Sequence, residues 1–109
     1  MLPLPILRYF AWSHLPPGLQ TISQPFGDLA YLVAVTPPGT LTEEMSTQLE
    51  RIQEVLGPTP SDEAARAEWD VAKIKIQMFY SEWEREDVSV SHCVRLLLEA
   101  KDCAVRTRV

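Results

Sequence analysis

VSVSHCVRLLLEAKDCAVR, residues 88–106, decides the fold. The stretch reads as a helix that begins near Val88 or Ser89 and runs to about Arg106. His92, Arg95, Glu99, Asp102 and Arg106 recur on one face, and the remainder is Val, Leu, Ala and Cys. Two i,i+4 pairs, Arg95–Glu99 and Asp102–Arg106, are expected along that polar face, with Lys101 off the stripe and more open. Leu96, Leu97 and Leu98 are consecutive and sweep about 200° of the helix circumference. One neighbouring helix cannot cover so wide a surface. The reading is therefore a helix buried on two sides, which in a 109-residue chain points to a homo-oligomer.

The preceding segments share this helical character. Ser61, with Asp62 and Glu63 behind it, is placed to cap a helix whose apolar positions are Ala65, Trp69, Ala72, Ile76, Phe79 and Trp83. Within it, residues 73–78 also alternate polar and apolar, so a strand stands as the alternative there. Upstream, Leu41, Met45, Leu49, Ile52 and Leu56 share one face of a helix from about Thr42 to Leu56. Thr40 and Glu43 have capping-box spacing, and Gly57 and Pro58 end the segment. The first stripe is Leu19, Ile22, Phe26, Leu29 and Val33, interrupted by Pro25. Either the helix kinks at Pro25, or Ser23 caps a helix whose first turn contains it. The expected fold is all-α, about four helices in a single domain spanning 1–109, assembled as an oligomer.

Composition narrows the function. Apolar residues make up 46% of the chain, enough to drive folding. No apolar run nears the roughly 20 residues of a membrane span, and Pro3 and Pro5 spoil the opening as a signal peptide. No membrane partner and a cytoplasmic location are expected. The net charge of −5 argues against a nucleic-acid polymer as partner. Residues 41–87 hold twelve Asp/Glu against five Lys/Arg, while the remainder holds three against five, so an acidic middle separates mildly basic ends. Cys93 and Cys103 are about 15 Å apart along one helix, too far to pair, and read as buried thiols. There is no metal motif, no phosphate-cradling glycine loop, no cofactor signature and no nucleophile–base spacing. His14 and His92, the only histidines, read as structural or exposed. The protein is expected to bind rather than catalyse.

Arg8, Tyr9, Phe10, Trp12 and His14 cluster in a proline-rich arm. Flat rings beside cationic groups suit a nucleobase and its phosphate. The same rings also suit an arm packed against helices.

Two stretches together carry a resemblance. FAWSHLPPGLQ (10–20) runs on to PFGDLA (25–30), and VRLLLEAKDCAVR occupies 94–106. Both resemble the helical hairpin domain of phage anti-CBASS and anti-Thoeris sponges, small proteins that sequester cyclic nucleotide messengers. The match covers residues 8–36 and 88–108. It implies a hairpin that assembles symmetrically and holds its ligand between protomers, in the cytoplasm of an infected host cell. By position, Trp12 resembles the ring that stacks on a base, and His14 and Gln20 fall in the same opening motif. Ser91 stands where a Ser or Thr begins the second helix, and Glu99, Ala100 and Lys101 match its signature. The ligand-binding set so implied is Arg8, Tyr9, Trp12, His14, Gln20, Gln24, Ser91 and Lys101. Three departures accompany the match. Ser23 and Gln24 stand where the family often has an arginine. Val90 replaces a basic residue before Ser91, with Arg85 the nearest cation. Residues 40–86 form an acidic helical insertion, expected to pack on itself or on the hairpin. Trp69, Tyr80 and Trp83 within it offer replacement stacking surfaces or core rings.

A non-catalytic sponge for cyclic nucleotides is the reading. Its rivals are a helical phage assembly or adaptor protein without a small ligand, and an enzyme that cleaves the messenger.

Overall fold

A computed structural model describes residues 17–108. Four α-helices and no strand occur among them: α1 Pro17–Val35, α2 Glu43–Leu56, α3 Glu63–Trp83 and α4 Val90–Arg106.

Helix α1 starts on a proline, whose missing N–H costs nothing in a first turn. It then runs on through Pro25. Ser23 is therefore not a cap; its hydroxyl donates back to the Gln20 carbonyl at 3.1 Å. Pro25 cannot donate to the carbonyl four residues earlier. Burial of Pro25 with Phe26, Leu29, Ala30 and Val33 holds the helix across that gap.

Two other caps fall one or two residues later than their spacing implies. Thr42, not Thr40, caps α2, its Oγ1 accepting from the Met45 N–H at 3.2 Å. Thr40 is occupied otherwise: its N–H donates to the Pro37 carbonyl at 3.2 Å in a turn. Asp62, not Ser61, caps α3, and its carboxylate accepts from the Ala65 N–H at 2.9 Å. A carboxylate at a helix N-terminus adds charge complementarity that a hydroxyl lacks. Gly57 ends α2 at φ 65°, ψ −164°, a conformation that side chains with a Cβ avoid. Residues 73–78 are helical, since Ala72, Ile76, Phe79 and Trp83 bury at helical spacing.

Helix α1 packs against both α2 and α4, and α3 packs against α4. The order across the molecule is thus α2–α1–α4–α3. Trp83, at the end of α3, reaches Thr40 just before α2, and Arg108 beyond α4 reaches Val55 at the end of α2. These two clasps fix α4 as antiparallel to α1. The segment 40–86 lies against the α1/α4 pair, one helix on each partner. Helices α2 and α3 meet mainly through long side chains. The Trp69 indole N–H donates to the Gly57 carbonyl at 3.3 Å, and the Lys73 ammonium donates to Gln53 Oε1 at 2.8 Å.

One apolar cluster draws on all four helices. Leu96, Leu97 and Leu98 are 1%, 0% and 2% exposed within this single chain. The wide apolar surface of α4 is covered without a second copy, which removes the ground on which an oligomer was expected. The polar face of α4 is likewise committed to a neighbour. Glu99 pairs with Lys75 of α3 at 3.7 Å, and Arg106 with Glu68 of α3 at 3.1 Å. Neither expected i,i+4 pair forms, because α3 runs alongside and offers opposite charges.

Candidate functional site

Of the residues assigned to a ligand, Arg8, Tyr9, Trp12 and His14 lie outside the described residues. Gln20, Gln24, Ser91 and Lys101 lie within them. Gln20 and Gln24 occupy the first half of α1, half-buried and exposed respectively. Lys101 occupies the last half of α4, which the antiparallel arrangement brings to the same end of the bundle. Far from being open, Lys101 is only 2% exposed. Its ammonium pairs with Asp102 Oδ1 at 2.9 Å, the kind of partner a buried charge requires.

Ser91 does not join that group. Ten helical residues, about 15 Å of axis, separate it from Lys101. Nor does it begin α4: Ser89 is the cap, its Oγ accepting from the His92 N–H at 3.3 Å, with Ser91 Oγ 3.4 Å from Ser89 Oγ. Glu82 supports this end, accepting from the Ser89 N–H at 3.2 Å and lying 4.0 Å from His92 Nε2. An open groove of about 400 Å³ runs past it, lined in part by Ile74, Met78, Glu82, Arg85 and His92. Arg85, the nearest cation to the departed basic position, is already engaged. Its guanidinium makes two 3.1 Å hydrogen bonds to the Asp87 carboxylate and lies 3.8 Å from Glu82. Those contacts raise the Arg85 pKa, chiefly through the Asp87 hydrogen bond, and lower that of Asp87. Phosphate binding there would have to displace Asp87.

The three aromatic candidates of residues 40–86 separate by environment. Trp83 is a core ring, 2% exposed and stacked on Phe79 with centroids 6.1 Å apart. Trp69 is half-buried beneath the Lys73 ammonium, 5.1 Å from the ring centroid. Tyr80 is exposed and borders a shallow groove of about 220 Å³ with Ser46, Leu49, Glu50 and Gln53. Only Tyr80 presents a ring edge to solvent without a covering cation.

Both thiols are buried and free. Burial, aided by the Glu82 charge, pushes Cys93 up to about 11. Burial also raises Cys103, although the Arg106 guanidinium lies 3.2 Å from its sulfur. Neither is a thiolate near neutral pH, so neither is a ready nucleophile. No helix among the described residues is long and apolar enough to cross a membrane.

Among the described residues, this geometry defines an all-α fold of four helices. Comparison with protein-family models, curated proteins and solved structures returned no significant match.

Proposed function

We propose that the protein binds and sequesters cyclic nucleotide messengers without cleaving them. One observation carries the reading. The two stretches that resemble the sponge hairpin, 50 residues apart in sequence, pack directly on each other as α1 and α4. That contact supports the helix pairing that the resemblance implies. Gln20, Gln24 and Lys101 share one end of that pair, and α1 begins at Pro17, immediately after the aromatic arm in sequence. Arg106, paired with Glu68, and Arg108, bonded to the Val55 carbonyl, lie at the same end. In this reading the messenger lies between protomers of a homo-oligomer in the host cytoplasm, and Trp12 stacks on a base.

Trp12→Ala tests it by titration calorimetry with cyclic dinucleotides, with thermal unfolding followed on the same sample. Stacking of a base on an aromatic is worth roughly 1–3 kcal/mol. A loss of affinity of about 5- to 150-fold at unchanged melting temperature supports the reading. A lower melting temperature at unchanged affinity makes Trp12 a packing residue.

A second reading, a helical assembly protein with no small ligand, draws support from a different feature. The outward side of α3 carries Val71, Ile74 and Met78 in the open.

A further inference from the structure

We infer that the outward face of α3 is a self-association surface, on which two copies of this chain pair through antiparallel α3 helices. This does not rest on the messenger-binding reading; none of the residues in the row is among those assigned to the ligand.

Helix α3 has two apolar faces. Ala72, Ile76, Phe79 and Trp83 are buried on the inner one. On the outer one, Ala64, Ala67, Val71, Ile74 and Met78 are all exposed. Their spacing is 3-4-3-4, the repeat that carries a coiled-coil seam. Val71 is 40% exposed, Ile74 53% and Met78 42%. Three large apolar side chains in one row on an otherwise charged helix form a patch rather than scattered exceptions.

The chemistry of the face selects a second copy as its occupant. The chain is acidic, and like-charged surfaces repel. Helix α2 carries four acidic residues and one basic, whereas α3 carries four and three (Glu63, Glu68, Asp70 and Glu82 against Arg66, Lys73 and Lys75). Helix α3, which bears the apolar row, is one charge from neutral, so self-pairing there meets little net repulsion.

The row is also tapered, small at Ala64 and Ala67 and large at Ile74 and Met78. A two-fold axis between Val71 and Ile74 sets Val71 against Ile74 of the second copy, and Ala67 against Met78 of the second copy. Small thus faces large at the Ala67–Met78 step, while Val71 meets Ile74 and Ala64 falls opposite Ser81. The same axis brings Glu68 opposite Lys75 of the second copy, twice, and Asp70 opposite Gln77, twice. Parallel pairing would instead set alanine on alanine and methionine on methionine, with Glu63 beside Glu68 of the second copy. Glu68 and Lys75 have side chains 33% and 26% exposed in their pairs with Arg106 and Glu99, so both are within reach of a second partner. The seam from Ala64 to Met78 is about 21 Å long, which places the contact at the small, weakly associating end of the interface range.

Sedimentation equilibrium of the full chain from about 10 to about 500 µM reads the dissociation constant. The mass is expected to rise from one chain to two across that range. Val71→Glu with Ile74→Glu is expected to remain monomeric throughout and to unfold within a few degrees of the parent, because both side chains are already exposed. Lys75→Glu is expected to weaken association at least tenfold, and adding Glu68→Lys to restore most of it. A parent chain that stays monomeric to about 500 µM overturns the proposal. So does a Val71→Glu, Ile74→Glu variant that associates like the parent, since the interface then lies elsewhere. Failure of the charge exchange to restore pairing, in a variant that melts normally, overturns the antiparallel register.

Discussion

The indole N–H of Trp83 donates to the Thr40 carbonyl oxygen at 3.0 Å, across 43 residues of chain. This bond ties the end of α3 to the loop between α1 and α2. Trp83 is also stacked on Phe79 in the core. It therefore joins the two ends of the segment 40–86 to each other. Trp83→Ala is expected to cost about 3–5 kcal/mol, and Trp83→Phe, which keeps the ring and loses the donor, about 1 kcal/mol. Urea unfolding of both variants checks the two values and their order.

Gly57 is held at φ 65° with ψ −164°, at the point where α2 turns toward α3. The obstacle to a side chain there is backbone conformation rather than space, since the nearest atom to a Cβ is Arg108 Nη2 at 3.9 Å. Gly57→Ala is expected to lower stability by about 1–3 kcal/mol without changing helix content. Circular dichroism melts read both.

How much of this was legible in the sequence follows from what periodicity reports. It reports which face of a helix is apolar, and the stripes through Phe26, Met45, Ile76 and Leu97 are buried except at their leading ends, where Leu41 is exposed and Leu19, Ile22, Ala65 and Trp69 are half-buried. Local chemistry marked Ser89 and Gly57 as helix ends. Periodicity is silent on what covers a face. Leu96, Leu97 and Leu98 looked too wide for one partner because the simultaneous packing of α1 and α3 on α4 is a tertiary fact. The Lys75–Glu99 and Glu68–Arg106 pairs were hidden for the same reason, being long-range, while i,i+4 spacing offered plausible local partners. Ala64, Ala67, Val71, Ile74 and Met78 do stand at readable spacing. A helix with two apolar stripes does not say by spacing which of them faces the core. Of the candidate residues, Gln20, Gln24 and Lys101 lie at one end of the α1/α4 pair and Ser91 at the other, a separation that depends on the direction of packing and is not legible from spacing.

The buried thiols make stability depend on alkaline pH. Cys93 stands at about 11 in the folded chain against 9.0 ordinarily. A raised folded pKa contributes stability that is fully present below the unfolded value. That contribution is lost as pH climbs from about 9 through 11. Cys103 shifts in the same direction, through its own burial first. Stability is expected to fall between pH 9 and 11, and more gently in Cys93→Ala. Denaturant midpoints at pH 8, 9.5 and 11 measure the two slopes.

Lys101 lies at the end of the bundle assigned to the ligand, yet its charge is buried against Asp102. Removing one partner of a buried ion pair strands the other charge, and the cost is moderated here because the Asp102 side chain is 36% exposed. Lys101→Met is expected to lower the melting temperature and to weaken messenger binding. Scanning calorimetry and titration on one preparation separate the two effects. An unchanged or higher melting temperature would show that the ion pair is no net structural asset.

The most direct test of sequestration is the fate of the messenger. The protein is incubated with cyclic di- and trinucleotides, passed through a desalting column, denatured, and the released nucleotide identified by mass spectrometry. The account predicts that a cyclic nucleotide co-elutes with the native protein and is recovered intact and still cyclic. A linearised product would make the protein an enzyme. A protein fraction free of nucleotide across the whole set would contradict the central claim outright.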